Sequence, residues 1–360
     1  MIPIIHKFLY SLIQRLISTP FFIIHFVNPL FHLRSLRFKV AHYKESASPY
    51  LAIFVIYQEG SLPFYVKNMI EALTANQVKV VVVANGEVSA DTKSYLESTC
   101  HVVIFRKNIG RDFGAYKDAL SSVDLDSYKK IFLINDSVFY FKRNLKELIA
   151  SVLKSQHHWT ALYDNYNVSY HAQSFFLCFG DDVLRSKTFK DFWASYQPFG
   201  VRHYVIKHGE LALTSSLIKA GFYNHTLNNK FDLRLRLNAL NLKEISELKK
   251  FLTHDFYSLY PRVLDMDAPQ FMLFLTYLCE RIASPVHFLY PMFSLLNQSP
   301  IFKRDLIKRH KTTLDEFYSL LTEMKLDGSE VEDAMNEFHA QSKSLPKSLL
   351  AKVNFRFDII

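Results

Sequence analysis

Four short apolar runs, spaced by stretches of helical periodicity, constrain this chain more than anything else in it. LAIFVIY (51–57), VKVVVVA (78–84), HVVIF (101–105) and KIFLIND (130–136) are apolar at nearly every position. Strands covered by helices on both faces read in this way. SLPFYVKNMIEAL follows the first run as a helix, with Ser61 near its N-cap and Pro63 in its first turn. A polar helix around Ala90 to Glu97 follows the second, and another spans Asn144 to Leu153. WTALYDN (159–165) and HAQSFFLCF (171–179) supply two further strands, the second with parallel and antiparallel directions both open. The fold class expected is α/β: an open, mostly parallel sheet flanked by helices, with right-handed crossovers and a ligand crevice at the carboxyl ends of the strands. Beyond Gly180 the pattern turns helical, which predicts a helical C-terminal region.

Composition narrows the functions open to such a chain. The 360 residues are 49% hydrophobic and 21% charged, with only 9 Gly and 12 Pro, so collagen-like and disordered readings fall away. Of the net charge of +9, +5 comes from residues 1–46, where Lys7, Arg15, Arg34, Arg37, Lys39 and Lys44 face one acidic residue, Glu45. A nucleic-acid partner is not expected, because it calls for a basic stripe on the folded domain and a recognisable reading motif. Residues 1–46 read instead as an amphipathic N-terminal arm, its Phe, Ile and Leu entering a membrane interface and its cations meeting the headgroups. Pro20, Asn28 and Pro29 argue against a spanning helix. Packing of this arm on the body of the protein is the competing reading. Cys100, Cys178 and Cys279 are too far apart for a zinc site or a disulfide framework. The expected division is 1–46, a sheet-bearing domain over 47–230, a helical extension over 231–311, and a helical tail over 312–360.

No Gly-rich dinucleotide fingerprint, Walker loop, GxSxG elbow or HExxH is present, which removes the usual support for hydride transfer, P-loop chemistry, serine hydrolysis and zinc proteolysis. What remains lies at strand ends. NIGRDFGAY (108–116) follows the third strand, and Asn135, Asp136 and Ser137 close the fourth. A carboxylate at the carboxyl end of an inner strand suits a nucleotide-diphosphate site. Mg²⁺ or Mn²⁺ needs only one or two carboxylates beside phosphate oxygens and water, so Asp136 alone suffices as metal ligand. Gly110 permits a tight turn, Arg111 offers a forked donor to phosphate, and Asp112 can hydrogen-bond a base or sugar hydroxyl. The competing reading has Asn108 and Asp112 capping a helix, with Arg111 paired to Asp112. Asp124 with Asp126, and Asp265 with Asp267, form literal DxD strings but fall away from the expected crevice.

These motifs in series resemble the rhamnan synthesis protein F family of bacterial polysaccharide glycosyltransferases. NIGRDFGAYKDAL, IFLINDSVFY, HAQSFFLCFGDDVLRSKTFKDFW, HGELALTSSLIKAGF, PVHFLYPMF and PIFKRDLIKR occur in the same order. The resemblance spans roughly residues 50–310. It implies a GT-A-like nucleotide-sugar domain and transfer of a deoxyhexose, often rhamnose, from a nucleotide-sugar donor to a growing lipid-linked (polyprenyl-linked) glycan, such as an O-antigen or other surface polysaccharide. It places donor-binding roles on Asn108, Gly110, Arg111, Asp112, Asn135, Asp136 and Ser137, and a sugar-contacting role on His171 and Gln173. On one strand those two point the same way and Ser174 the other. A polar pair at a sheet edge is the alternative. The family's Glu falls on Glu210, preceded by Gly209 where an aromatic or aliphatic residue is expected. His287, inside PVHFLYP, stands where the acceptor or diphosphate would be met, with a packed histidine as the reading from sequence alone. Lys303 and Arg304 would meet the phosphate of a polyprenyl-diphosphate acceptor, with an ordinary solvated basic face as the competing reading.

Inverting sugar transfer needs a departing diphosphate stabilised and an acceptor hydroxyl deprotonated. Asp136 with its metal, helped by Arg111, serves the first need. Glu210 is the expected general base, read as opening a helix after the sheet, with Asp164 and Asp181 in reserve. A Glu placed at a helix start for the macrodipole is the alternative. The expected setting is cytoplasmic and peripheral, on the inner face of the cell membrane. A transferase-like protein that binds glycan or organises an assembly complex without turnover is the second reading.

Overall fold

The computed structural model describes residues 39–42, 47–58 and 60–343. Apart from residues 39–42, the arm expected over 1–46 lies outside the described residues. The chain divides into two compact units, Met1–Lys39 and Val40–Ile360, and the architecture is that of the second.

After the edge strand β1 (Lys39–His42), the parallel strands form where the sequence is richest in Val, Ile, Leu and Phe: β2 (Tyr50–Ile56), β3 (Lys79–Asn85), β4 (Val102–Arg106) and β5 (Lys130–Asn135). β6 (Val138–Tyr140), β7 (Trp159–Ala161), β8 (Asp164–Asn165), β9 (His171–Ala172), β10 (Phe176–Gly180), β11 (Asn224–Thr226) and β12 (Ile301–Lys303) follow. The main sheet has the order β1-β4-β3-β2-β5-β10-β7-β11. Its β4-β3-β2-β5 centre is parallel, with Ile53 opposite both Val81 and Leu133. β10 runs antiparallel to β5 and to β7. This is the expected open, mostly parallel sheet with a helical C-terminal region. The expected runs 159–165 and 171–179 each break in two. Leu162 N–H instead reaches Phe176 O, and Gln173 N–H reaches Tyr163 O, so residues 173–175 form a turn.

Alternation along β2 and β3 builds two cores. Ala52, Phe54, Ile56, Val80 and Val82 face one layer, together with α1 (Phe64–Ala75), α2 (Ala90–Thr99) and apolar residues of the helices after Lys230. Leu51, Ile53, Val55, Val81 and Val83 face the other. That second layer holds α3 (Arg111–Ser121). On the first face lies α4 (Leu145–Lys154). The second layer is completed by α5 (Asp181–Arg185), α6 (Lys187–Ser195) and α7, which runs from Arg202 to Lys219 with a π-helical middle, Val205–Leu211. The three cysteines are buried, and none is in a disulfide among the described residues. Among the described residues no helix is long and apolar enough to cross a membrane.

Candidate active site

The strand order reverses between β2 and β5, and at such a switch point the crossovers leave to opposite faces and open a crevice at the carboxyl ends. Asp136 sits there. Its N–H donates to Val55 O (3.2 Å), and its Oδ2 accepts from Tyr57 N–H (2.9 Å) and Gln58 Nε2 (2.5 Å), so the ends of β2 and β5 are stitched together by one buried carboxylate. Burial raises its pKa above the ordinary carboxylate value, against the lowering effect of Arg304, the Tyr57 and Gln58 hydrogen bonds and Lys308. Asn135 starts the turn beyond β5: its Oδ1 accepts from Ser137 N–H (3.0 Å) and Ser137 Oγ (2.6 Å). Ser137 itself is exposed at the lip.

The cations arrive from far along the chain. β12 pairs antiparallel with β6, Lys303 opposite Val138, and this register sets Arg304 over the Asp136 turn. Arg304 N–H donates to Ser137 O (3.1 Å), its Nη1 donates to Asp136 O (2.6 Å), and its guanidinium lies 4.8 Å from the Tyr65 ring centre. Lys303 Nζ donates to Gln173 Oε1 (3.1 Å) and lies 3.8 Å from Asp305. Burial lowers the Lys303 pKa, while the Asp305 and Glu210 carboxylates oppose that shift. Burial alone would raise Asp305, but Lys303, His287 and Arg309 hold its carboxyl well below the usual range. His287 Nε2 is 3.4 Å from Asp305, and its Nδ1 meets Ser284 Oγ. Burial and the Lys303 charge lower its pKa, so the imidazole supports Asp305 from behind.

An acidic cluster faces this cationic edge. α3 starts at Gly110, whose φ of +75° and closeness to Pro198 exclude any side chain: an added Cβ would lie 2.4 Å from Pro198 Cβ. Beneath the loop, Arg106 reaches Asn85 Oδ1 (2.6 Å), Ile109 O (2.7 Å) and Asp118 (2.8 Å). Asp112, in the first turn of α3, accepts at Oδ2 from Asn135 Nδ2 (3.0 Å) and lies 3.2 Å from Ser174 Oγ. Ser174 Oγ is also 2.5 Å from Glu210 Oε1, and His171 Nε2 stands 3.9 Å from Glu210 Oε2. Burial, then the Glu210 charge, push Asp112 up to about 6.

Several expectations change here. Glu210 does not open a helix: α7 begins at Arg202, and Glu210 lies in its π-helical turn, a distortion frequent at functional sites. The macrodipole explanation therefore fails. Gly209 is there because Phe113 fills the space a side chain would need, with a Cβ only 2.9 Å from the ring. His171 and Gln173 are not on one strand. The turn at 173–175 brings Ser174 into the acidic cluster and sends Gln173 to Lys303. Asn108 is exposed and caps nothing, since Gly110 occupies the N-cap. Arg111 donates Nε to Gly200 O (2.8 Å) rather than pairing with Asp112. Asp181 follows Gly180, which pairs with Lys130 at the amino end of β5, and forms an exposed pair with Arg185. Asp164 is buried and accepts from Tyr166 Oη (3.0 Å). Asp124 and Asp126 occupy an exposed turn before β5, and Asp267 caps the helix Ala268–Arg281. Gln58, Arg106 and Asp305 escaped the sequence reading, and Ser174 entered it only as the residue pointing away from His171 and Gln173. Asp305 sits inside a quoted motif, whereas Gln58 and the buried Arg106 carry no local signal.

The segment that holds the acidic cluster also carries the likeness to known proteins. Residues 80–244 match the rhamnan synthesis protein F family. The matched stretch contains Asn108 through Glu210, and His287, Lys303 and Arg304 lie beyond it. The uncharacterized protein y4gN of Sinorhizobium fredii (strain NBRC 101917 / NGR234) is 29% identical over 220 residues, 59% of this chain and 56% of its own, so the chain spans about half the length of that relative. Among solved structures, the glycosyltransferase GlyE of Streptococcus pneumoniae TIGR4 is 12% identical (83% of this chain, 66% of its own, TM-score 0.35). S. aureus TarS 1–349 is 10% identical (85% and 91%, TM-score 0.31). Likenesses this slight decide neither activity nor substrate.

Proposed function

We propose that the chain is a GT-A-like, inverting glycosyltransferase of polysaccharide synthesis, moving a sugar from a nucleotide-diphosphate donor to a growing glycan. The observation that carries this reading is the meeting, at the carboxyl ends of β2 and β5, of the Asp136 turn and the Lys303–Arg304 edge with the Asp112–Ser174–Glu210 cluster. Rhamnose or another deoxyhexose as donor sugar, and a lipid-linked acceptor at the inner face of the membrane, follow from the family resemblance.

In this mechanism the acceptor hydroxyl gives its proton to Glu210 as its oxygen attacks the anomeric carbon. The bond from that carbon to the diphosphate breaks, and the charge left on phosphate is met by Arg304 and Lys303. Their positions are preset by β12, so no reorganisation is needed as charge develops. Ser137, exposed at the lip, can donate to a phosphate oxygen. Oδ1 of Asp136 has no protein partner among the described residues, while Oδ2 has two donors. That leaves one carboxylate oxygen for a divalent cation, enough for Mg²⁺ or Mn²⁺ when phosphate and water complete the shell. Such an ion would add Lewis-acid neutralisation of the diphosphate.

The test is nucleotide release from a panel of nucleotide sugars, each with a glycan acceptor, with and without Mg²⁺ or Mn²⁺. Release that needs both the Glu210 carboxylate and acceptor is expected. Donor or glycan binding without any release would instead favour a non-catalytic assembly role.

A further inference from the structure

A proton count within the acidic cluster assigns a role to a residue that neither motif nor fold points to. Ser174 Oγ lies 2.5 Å from Glu210 Oε1 and 3.2 Å from Asp112 Oδ2, yet a hydroxyl has one proton and ionised carboxylates only accept. If Ser174 donates along the shorter contact, the contact to Asp112 is a hydrogen bond only when Asp112 carries a proton of its own. Asn135 cannot supply a way out by rotating its amide. Its Oδ1 is held by the N–H and Oγ of Ser137, so its Nδ2 faces Asp112. An oxygen that accepts from Asn135 can still donate to Ser174.

We propose that Ser174 is the positioning residue of this site: its hydroxyl links Asp112 to Glu210 so that the two carboxyl groups hold a single proton, carried by Asp112, and Glu210 is kept ionised as the base. This rests on the reading of Glu210 as the proton acceptor. The surroundings agree. Burial and the Glu210 charge push Asp112 up to about 6, so the pair holds its proton below about that pH, and the field of Lys303 reaches Glu210. His171 stands beside the free oxygen of Glu210. Tyr116 donates to Ser174 O (3.1 Å), which fixes the turn, and burial together with the Asp112 and Glu210 charges raises the pKa of Tyr116 and Tyr196, so both phenols stay neutral beside the pair. When the acceptor loses its proton to Glu210, the O–H bond breaks, Asp112 keeps its own proton, and the pair then holds two. One returns to solvent after product leaves. Asp112 is thus reassigned from donor binding to setting the charge of its neighbour.

Infrared spectra of the full chain between about pH 4 and pH 8, for wild type, Asp112→Asn and Ser174→Ala, read the shared proton directly. The expected result is a protonated-carboxyl band titrating near 6 in wild type, absent from Asp112→Asn and displaced in Ser174→Ala. Kinetics supply the second arm: Ser174→Ala should lower kcat by about tenfold to a hundredfold, with donor KM changed less than about twofold, and Ser174→Thr should restore most of the loss. A wild-type band indistinguishable from that of Asp112→Asn overturns the proposal, as does an unchanged kcat in Ser174→Ala. Failure to turn over any nucleotide sugar would refute the transferase reading and leave the infrared arm to decide the proton.

Discussion

At the scale of single residues, the buried carboxyl of Asp136 and the half-buried one of Asp112 have opposite consequences. Asp136 is surrounded by donors and cations, so its charge is what the crevice is built to use. Replacing it with Asn keeps the size and removes the charge. Turnover should fall by at least about a hundredfold with an unchanged circular dichroism spectrum, and a variant with wild-type turnover would remove Asp136 from the mechanism. Asp112 is a liability for folding when ionised. Its pKa rises from 3.8 unfolded to about 6 folded, so between those values the native state binds the extra proton. The stability it contributes is present below pH 3.8 and is lost as pH rises through about 6. Asp112→Asn should therefore flatten the fall in stability across that window, and gain on wild type at pH 8 by about 2–3 kcal/mol. Urea titrations at several pH values check this; parallel curves for the two proteins would show that Asp112 does not carry the proton.

At the scale of elements, the sequence makes the parallel strands legible because β2, β3, β4 and β5 are buried on both faces and leave almost no polar residue inside them. The position of Asp136 follows from the same pattern, since the carboxyl end of a buried strand is where the chain first meets solvent. The β6–β12 pairing is illegible. Two three-residue strands separated by more than 150 residues have no periodicity to read, and they carry Lys303 and Arg304 into place. The turn at 173–175 hides in an apolar run that reads as one strand, so Ser174 was assigned to the wrong side. Arg106 hides for a related reason: a charged residue ending a strand reads as exposed, and only its partners Asn85, Ile109 and Asp118 make burial tolerable. The π-helical turn of α7 is invisible too, although Gly209 marks it in retrospect. Gly209→Val should drive a side chain into Phe113 and push α7 from the sheet, lowering stability by about 1–3 kcal/mol and cutting turnover more than Gly209→Ala. Thermal melts and kcat for the two variants test this; equal behaviour would mean that the Phe113 contact does not position Glu210.

At the scale of the whole folded unit, the crevice depends on a helix that contributes nothing to it directly. The helix Gly328–Lys343 places Glu337 3.5 Å from the Arg304 guanidinium. One turn and more before that, buried Glu330 accepts from Asn68 Nδ2 in α1 (2.6 Å) and from Lys142 N–H just after β6 (2.8 Å). The helix therefore ties the β6–β12 ribbon to the first layer of the sheet, and Arg304 is gripped between Asp136 O on one side and Glu337 on the other. Glu330→Ala would take one acceptor from the buried Asn68 Nδ2, which keeps Tyr140 O, and the acceptor of the part-buried Lys142 N–H, at a cost of about 1–3 kcal/mol in all. Melting should come several degrees lower, and loosening of the ribbon should weaken nucleoside-diphosphate binding by about fivefold or more. Glu330→Gln keeps an acceptor oxygen and should recover most of both losses. Calorimetric titration of nucleoside diphosphates into the three proteins separates the possibilities. A drop in melting temperature with unchanged affinity would mean that the helix only stabilises the fold, and that Arg304 holds its place through β12 alone.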